Sequence, residues 1–416
     1  MSRLVAPGRN SVLRYFSVLA TGSMLGLLLS FLVQAYLSRV VTVETFGQIN
    51  YARILIGYLI LALNFGFETY FLRALVSNEL SPGRAVALQL SARLPLAILM
   101  MVGLLIWAGM GHWSVPRLIV TLYGLTTLAY VLNIDWLFQV REQFSALAAI
   151  NLGRGLLVLA GTLLLVRSPH DTVKYVALVA LAELARVLYQ WWRLRPRLER
   201  VSLRQLLLTV RTSIPISASF FMISLYYNID SIMLGHFRSD AAVAIYVAAY
   251  NILTLAILPT SLLYQAFGPT LARSPWNIEV FRRYFGSTMA LALVVFVVLF
   301  LLHRFVILTL YGEKYEASIP VLMLLSFNIL SSYLAGAFAN PINIWGQHIK
   351  YFWIVASGAT VNVILNFLLI PRYGIPAAVG ATITSELVVA LLAMWAIFRG
   401  FRTYSEVKPS VKVEGV

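Results

Sequence analysis

Cysteine is absent from the 416 residues, which excludes disulfides, thiolate metal sites and cysteine nucleophiles. Charge is scarce too: 12% of residues carry one, against about 25% in soluble domains. Acids are the rarer sign, 16 against 32 Lys and Arg. The five histidines (His112, His170, His236, His303 and His348) lie far apart and never at a metal-ligand spacing, so no metal and no cofactor is expected. What fills the chain is apolar, 60% of it, more than a soluble fold of this size can hide from water. At about 20 apolar residues per bilayer crossing, roughly twelve crossings use most of the length and leave only short connections.

The apolar runs place the first six spans near 15–38, 50–72, 86–110, 116–138, 144–166 and 172–194. The second six fall near 212–234, 241–265, 284–308, 317–340, 350–371 and 376–398. The basic stretch Met1–Arg14 leads into an apolar run without a small-x-small cleavage site, so it reads as a retained first span. The expected fold class is all-α: a polytopic membrane protein of twelve transmembrane helices in two six-helix bundles related by a parallel pseudo-two-fold repeat. Residues 1–194 form the N-terminal bundle, 195–211 a basic cytoplasmic linker, 212–398 the C-terminal bundle and 399–416 a cytoplasmic tail.

Basic residues set the orientation. With both termini inside, twenty Lys and Arg fall on the cytoplasmic side and eight on the outer side, with four inside spans. The densest cluster is Arg193, Arg195, Arg197, Arg200, Arg204 and Arg211, between the two sets of six. Trp136, Trp191, Trp192 and Trp395 mark the inner interface, and Trp107 and Trp113 the outer one. This distribution accounts for the net charge of +16 without nucleic acid, which would want a recognisable soluble module.

A repeat follows from acids in matching places. Glu44 opens span 2 as Asp240 opens span 8, at an offset of 196, and Glu183 and Glu386 sit mid-span at an offset of 203. An even number of spans per half gives the halves the same orientation, so a substrate site between two rocking bundles is the physical expectation.

The informative residues are charges inside spans, where each costs roughly 2.5–3.5 kcal/mol unless paired or wet. Arg53, Arg93 and Arg154 have no acid at helical spacing in their own spans. Either acids on other spans neutralise them, or they line a cavity for an anion such as a pyrophosphate, which guanidinium groups grip in pairs. Arg93 has a further option, snorkelling to the inner surface. Glu183 and Arg186, three apart, suit an ion pair on one helix face. Asp230 has Tyr226 one turn back and Glu386 has Thr382, so each is either hydrogen-bonded locally or a coupling carboxylate.

Three stretches resemble the polysaccharide transporters, the Wzx-type flippases of the multidrug/oligosaccharidyl-lipid/polysaccharide exporter superfamily. They are Leu37-Ser-Arg39 through Glu44-Thr-Phe46-Gly47 to Tyr51-Ala52 with Phe65-Gly66-Phe67; Tyr227-Asn228-Ile-Asp230 through Gly235, with Ala244-Ile-Tyr246-Val-Ala248-Ala249-Tyr250; and Asn362 through Asn366 to Pro371-Arg372-Tyr373-Gly374 and Thr382. Asp135-Trp136-Leu137-Phe138-Gln139 resembles the family's aromatic-Gln exit, while Ala377 stands where a glycine is common. The resemblance implies a two-lobed bundle in the bacterial inner membrane that flips undecaprenyl-pyrophosphate-linked sugar repeat units for O-antigen, capsule or exopolysaccharide synthesis. Implied partners are the lipid-linked oligosaccharide, membrane lipids, and polysaccharide polymerase and chain-length proteins. No motif reaches Arg53, Arg93 or Arg154.

The alternative within that superfamily is a cation-coupled multidrug exporter, which wants an acidic pocket where this first half is basic. A peptidoglycan-precursor flippase is a sibling reading, though such relatives usually carry two further helices. A glycan polymerase or ligase needs catalytic groups on a substantial outer loop, and every outer loop here is short. Since the chain has no native cysteine, a single cysteine introduced at position 2 or 414 is expected to resist a membrane-impermeant maleimide in intact cells and to react after permeabilisation, which reports the sidedness of both termini.

Overall fold

The computed structural model describes residues 9–77, 79–110 and 116–407. His112, Trp113 and the end of the expected tail, 408–416, lie outside the described residues. Every regular element among the described residues is helical. The helices are α1 (Arg9–Val40), α2 (Val43–Asn64), α3 (Phe67–Val76), α4 (Pro82–Gly109), α5 (Arg117–Val131), α6 (Asp135–Val140), α7 (Phe144–Leu165) and α8 (Thr172–Leu194), followed by α9 (Leu203–Phe237), α10 (Asp240–Arg273), α11 (Ile278–Leu310), α12 (Ser318–Ile344), α13 (His348–Tyr373) and α14 (Ile375–Val407).

Taking α2 with α3 and α5 with α6, ten of the described crossings are long and apolar enough to span a membrane. The two expected spans outside that set are α1, whose apolar stretch Met24–Val40 is shorter, and α8, which carries Glu183 and Arg186. Large apolar side chains lie bare along the helices, Leu301 at 70% and Phe305 at 64% exposure on α11 being examples. Such a surface is untenable in water and natural against lipid tails.

The chain divides into two compact units, Met1–Phe221 and Met222–Val416. The division falls inside α9, not in the basic segment 195–211 where the sequence suggested a linker. Helix α9 runs unbroken from Leu203 past Pro215, so no new element begins at 212. In the first unit α5 packs against α2, α4 and α8, and α7 against α1 and α8. In the second, α14 packs on α12 and α13, and α12 on α10 and α11.

Two spans expected as continuous are broken. Span 2 stops at Asn64 and restarts at Phe67, because Phe65 and Gly66 both take left-handed backbone angles (φ 45° and 70°). A Cβ on Gly66 would sit 2.8 Å from Ile216, so glycine is required there on two counts. Span 4 stops at Val131 and restarts at Asp135. Each break frees backbone carbonyls that lipid cannot satisfy.

The repeat reaches the level of individual contacts. Helices α2 and α10 both open on a hydroxyl N-cap, Thr42 and Ser239, followed by an acid in the first turn, Glu44 and Asp240. The 196-residue offset also carries the Gln34–Asn50 hydrogen bond of the first unit onto the Asp230–Tyr246 hydrogen bond of the second.

The basic segment after α8 is clamped to the start of α4. Ser81 Oγ donates to Glu199 Oε1 (2.5 Å), Arg84 Nη2 lies 3.4 Å from Glu199 Oε2, and the Arg197 carbonyl occupies the space where a side chain at Gly83 would begin. A Cβ at position 83 would collide with that oxygen, a contact no packing tolerates. Gly83→Ala is therefore expected to release the segment, read as faster tryptic cleavage after Arg197 and Arg200, with a smaller increase for Glu199→Gln.

Candidate functional site

A polar seam runs through the first unit, and it grows out of the two helix breaks. Arg93, on α4, is wholly buried, with 0% of its side chain exposed. Its Nε donates to the Leu63 carbonyl at 3.0 Å and its Nη2 to Asn64 Oδ1 at 3.2 Å, at the end of α2. Its Nη1 donates to the Asn133 carbonyl at 3.2 Å, past the end of α5. One guanidinium thus caps the carbonyl ends of two broken helices, where a cation is also favoured by the helix dipoles. Neighbouring side chains satisfy further acceptors at the second break. Gln89 Nε2 reaches the Asn133 carbonyl at 2.8 Å, and Trp191 Nε1 the Leu132 carbonyl at 2.7 Å. Trp136 donates in turn to Gln89 Oε1 at 2.6 Å.

The restarting helices supply the counter-charge. Glu68 lies in the first turn of α3, 3.6 Å from Arg93 Nη2, and accepts from Tyr130 Oη (2.8 Å) and Asn133 Nδ2 (3.2 Å). Asp135 opens α6 and accepts from Arg186 Nη1 at 2.9 Å and Gln190 Nε2 at 2.5 Å. Arg186 Nη2 donates to Glu183 Oε1 at 2.5 Å, so the Glu183–Arg186 pair exists with Asp135 as its third member. The other Glu183 oxygen, Oε2, lies 3.6 Å from Arg154 Nη1.

The three arginines singled out in the sequence are thus in different circumstances. Arg93 is enclosed by protein carbonyls and offers no surface to a ligand or to the membrane interface, so neither cavity lining nor snorkelling describes it. Arg154 keeps one long ionic contact and is 36% exposed. Arg53, on α2, is exposed; its Nε and Nη2 donate to Asn50 Oδ1 at 3.3 and 3.0 Å, and among the described residues it forms no ion pair. Within the seam, four guanidiniums (Arg53, Arg93, Arg154 and Arg186) stand against three carboxylates (Glu68, Asp135 and Glu183), one positive charge in excess among these seven residues.

Between α7 and α8 the first unit carries a cavity of about 330 Å³, lined by Arg154, Arg186, Tyr189 and Arg193 over a floor of alanines and Gly153. This groove, and the roles of Gln89, Asn133 and Gln190, were not among the features singled out in the sequence. The two glutamines interrupt apolar runs and were a usable signal.

The second unit is built differently. Asp230, 2% exposed, accepts from the Tyr246 hydroxyl and from Thr382 Oγ1 (3.4 Å), and its Oδ1 accepts from the Ser231 backbone N–H at 3.0 Å. Its partner is therefore Tyr246 on the next helix, not Tyr226 one turn back. Tyr226 lies beside the half-buried Glu386 together with Ser332. Thr382 spends its donor on Asp230 and the Ala378 carbonyl, leaving Glu386 to those other hydroxyls. Asn366 Nδ2 donates to Asn362 Oδ1 at 3.0 Å, and Gly374 (φ 63°) lets the end of α13 turn while Arg238 Nε caps the Ile370 carbonyl at 3.0 Å. The family-like motifs of this half are thus joined to one another through Asp230, Tyr246 and Thr382. Among the described residues no group of three or more acids and histidines has the geometry to hold a metal ion.

The chain is similar to known proteins. A family model described as "Polysaccharide biosynthesis protein" matches residues 12–275. "Probable flippase AglR" of Haloferax volcanii is 30% identical over 187 residues, 43% of this chain, and the matched stretch spans only 39% of that relative's length. Among solved structures, "Lipid II flippase MurJ, inward closed conformation" superposes with a TM-score of 0.77 at 10% identity, over 93% of this chain and 90% of the other. An inward-facing multidrug resistance MATE family transporter of the MOP superfamily gives 0.66 at 13% identity, over 92% and 96%. At those identities the likeness is one of fold, an all-helical polytopic transporter fold.

Because Arg93 satisfies two helix breaks at once, Arg93→Met is expected to cost about 3–5 kcal/mol, as removal of one partner from a buried ionic network does. Thermal unfolding in detergent checks this; Arg53→Gln, whose side chain is exposed, is expected to leave the midpoint nearly unchanged.

Proposed function

The chain belongs to the polysaccharide biosynthesis protein family, and from that membership we propose that it is a flippase for undecaprenyl-pyrophosphate-linked oligosaccharide repeat units. It moves them across the bacterial cytoplasmic membrane by alternating access, with both termini inside, in the synthesis of O-antigen, capsule or exopolysaccharide. Polysaccharide polymerase and chain-length proteins are its partners in that process. No covalent chemistry and no cofactor enter the cycle.

The observation that carries the reading is Arg53, an exposed guanidinium in an apolar helix that donates to an amide oxygen and pairs with no carboxylate among the described residues. A permanently charged group in that position has a reason to persist if an anion visits it, and a pyrophosphate is an anion that guanidinium groups hold well. Arg154, weakly held by Glu183, is the second such group, and Arg93 supports the scaffold that presents them. The names "Probable flippase AglR" and "Lipid II flippase MurJ" support the same reading. The MATE-type fold likeness raises export of cationic drugs as an alternative, but the surplus charge of the first unit has the wrong sign for that cargo. Glu183 and Arg186 act as a structural pair, while Asp230 and Glu386 are the carboxylates available for coupling to a proton or cation.

Deletion of the gene is expected to make lipid-linked repeat units accumulate on the cytoplasmic leaflet, measured by leaflet-selective oxidation of the sugar. A strain with shifted drug susceptibility and normal surface glycan would sink the proposal. The double variant Arg53→Gln/Arg154→Gln is expected to reduce polymer output by about tenfold or more, the value of one to two charge-assisted hydrogen bonds, at unchanged membrane abundance.

A further inference from the structure

The groove between α7 and α8 lies on the exposed face of the first unit. Ala149 and Gly153 on α7 and Ala185 on α8 are small and exposed, so the two helices leave a furrow where larger side chains would close it. A bare leucine, Leu157 at 49% exposure, is part of its lining, as expected of a surface in contact with lipid tails. At about 330 Å³ the space is at the lower end of small-molecule sites.

Its charges are arranged by depth. Arg193 stands one residue before the end of α8 beside the exposed Trp192, at the level of the cytoplasmic interface on the orientation the arginine bias implies. Arg154 meets α8 near Glu183, ten residues earlier, which along a helix is about 15 Å, half the thickness of a hydrocarbon core. Among the described residues Arg193 has no ion pair. Arg186 lies between them but is fully engaged by Asp135 and Glu183. The exposed phenol of Tyr189 sits on the same wall.

We propose that this furrow is a lateral site for the pyrophosphate headgroup of an isoprenoid-linked cargo, received at Arg193 and drawn down to Arg154 while its tail stays in the bilayer. The proposal rests on the flippase reading and adds a place and a route to it. A resident phospholipid keeps its phosphate at the interface, where Arg193 alone would serve it. A partly exposed guanidinium half a hydrocarbon core deeper needs a ligand whose phosphate leaves the interface. Glu183 fits the same scheme: its single 3.6 Å contact neutralises Arg154 when the groove is empty and gives way when an anion arrives. Glycine at 153 has nothing within 4 Å of where a Cβ would stand, so a side chain added there enters the furrow without disturbing the backbone.

The test uses the purified full-length protein and native mass spectrometry, with a polyprenyl pyrophosphate and phosphatidylglycerol as separate probes. Gly153→Leu and Arg154→Gln are each expected to lower pyrophosphate retention about tenfold or more. Arg193→Gln is expected to lower retention of both probes, while phosphatidylglycerol is indifferent to Arg154→Gln. Wild-type retention of the pyrophosphate by folded Gly153→Leu overturns the site and leaves the flippase reading standing. Phosphatidylglycerol that displaces the pyrophosphate at equal concentration and depends equally on Arg154 makes this a resident-lipid site and overturns the assignment to cargo. The flippase reading itself fails separately, if the deletion strain accumulates no lipid-linked units.

Discussion

A backbone carbonyl released inside a hydrocarbon layer must find a donor within the protein, and the first unit is organised around that requirement. The chain breaks span 2 at Phe65–Gly66 and span 4 at Leu132–Ile134, and the freed carbonyls converge on Arg93, Gln89 and Trp191. Once an arginine is committed there, carboxylates must follow, and both arrive at the N-termini of the restarting helices, Glu68 on α3 and Asp135 on α6. The dipoles of those short helices favour the acids where they stand. Asp135 then binds Arg186, Arg186 binds Glu183, and Glu183 touches Arg154. The ionic network is in this sense a consequence of two helix breaks.

The same chain of dependence separates scaffold from function. Arg93, at the breaks, is saturated by hydrogen bonds and wholly buried. Moving outward along the seam, saturation falls: Arg186 has two carboxylates, Arg154 one long contact, Arg53 an amide. The groups with unspent hydrogen-bonding capacity are therefore at the periphery, on α2 and in the furrow between α7 and α8, where the proposed anionic cargo would be met. The second unit follows another plan. Asp230 and Glu386 are met by hydroxyls, Tyr246 and Thr382 for the first and Tyr226 and Ser332 for the second.

Much of this was legible beforehand. Length, apolarity and arginine bias are one-dimensional properties, and they sufficed for an all-helical polytopic fold with a short list of suspect charges. The Glu183–Arg186 pair was legible because three residues on one helix is a local geometry. Asp230 was not correctly partnered: Tyr226 is its local neighbour, yet Tyr246, sixteen residues on and in the next helix, takes the bond. The helix breaks escaped as well, since Phe65 and Leu132 are apolar and hydropathy cannot see a backbone angle. With the breaks hidden, Arg93 looked like Arg53.

What the sequence determined alone was therefore everything that depends on solvent transfer and on spacing within one helix: the medium, the order of the apolar runs, and which side chains are costly in lipid. What only the tertiary structure decided was which of those costly side chains are satisfied. Satisfaction requires a donor and an acceptor within about 3 Å of each other, and here the decisive partners come from different helices, tens of residues apart, where no pattern along the chain encodes the distance.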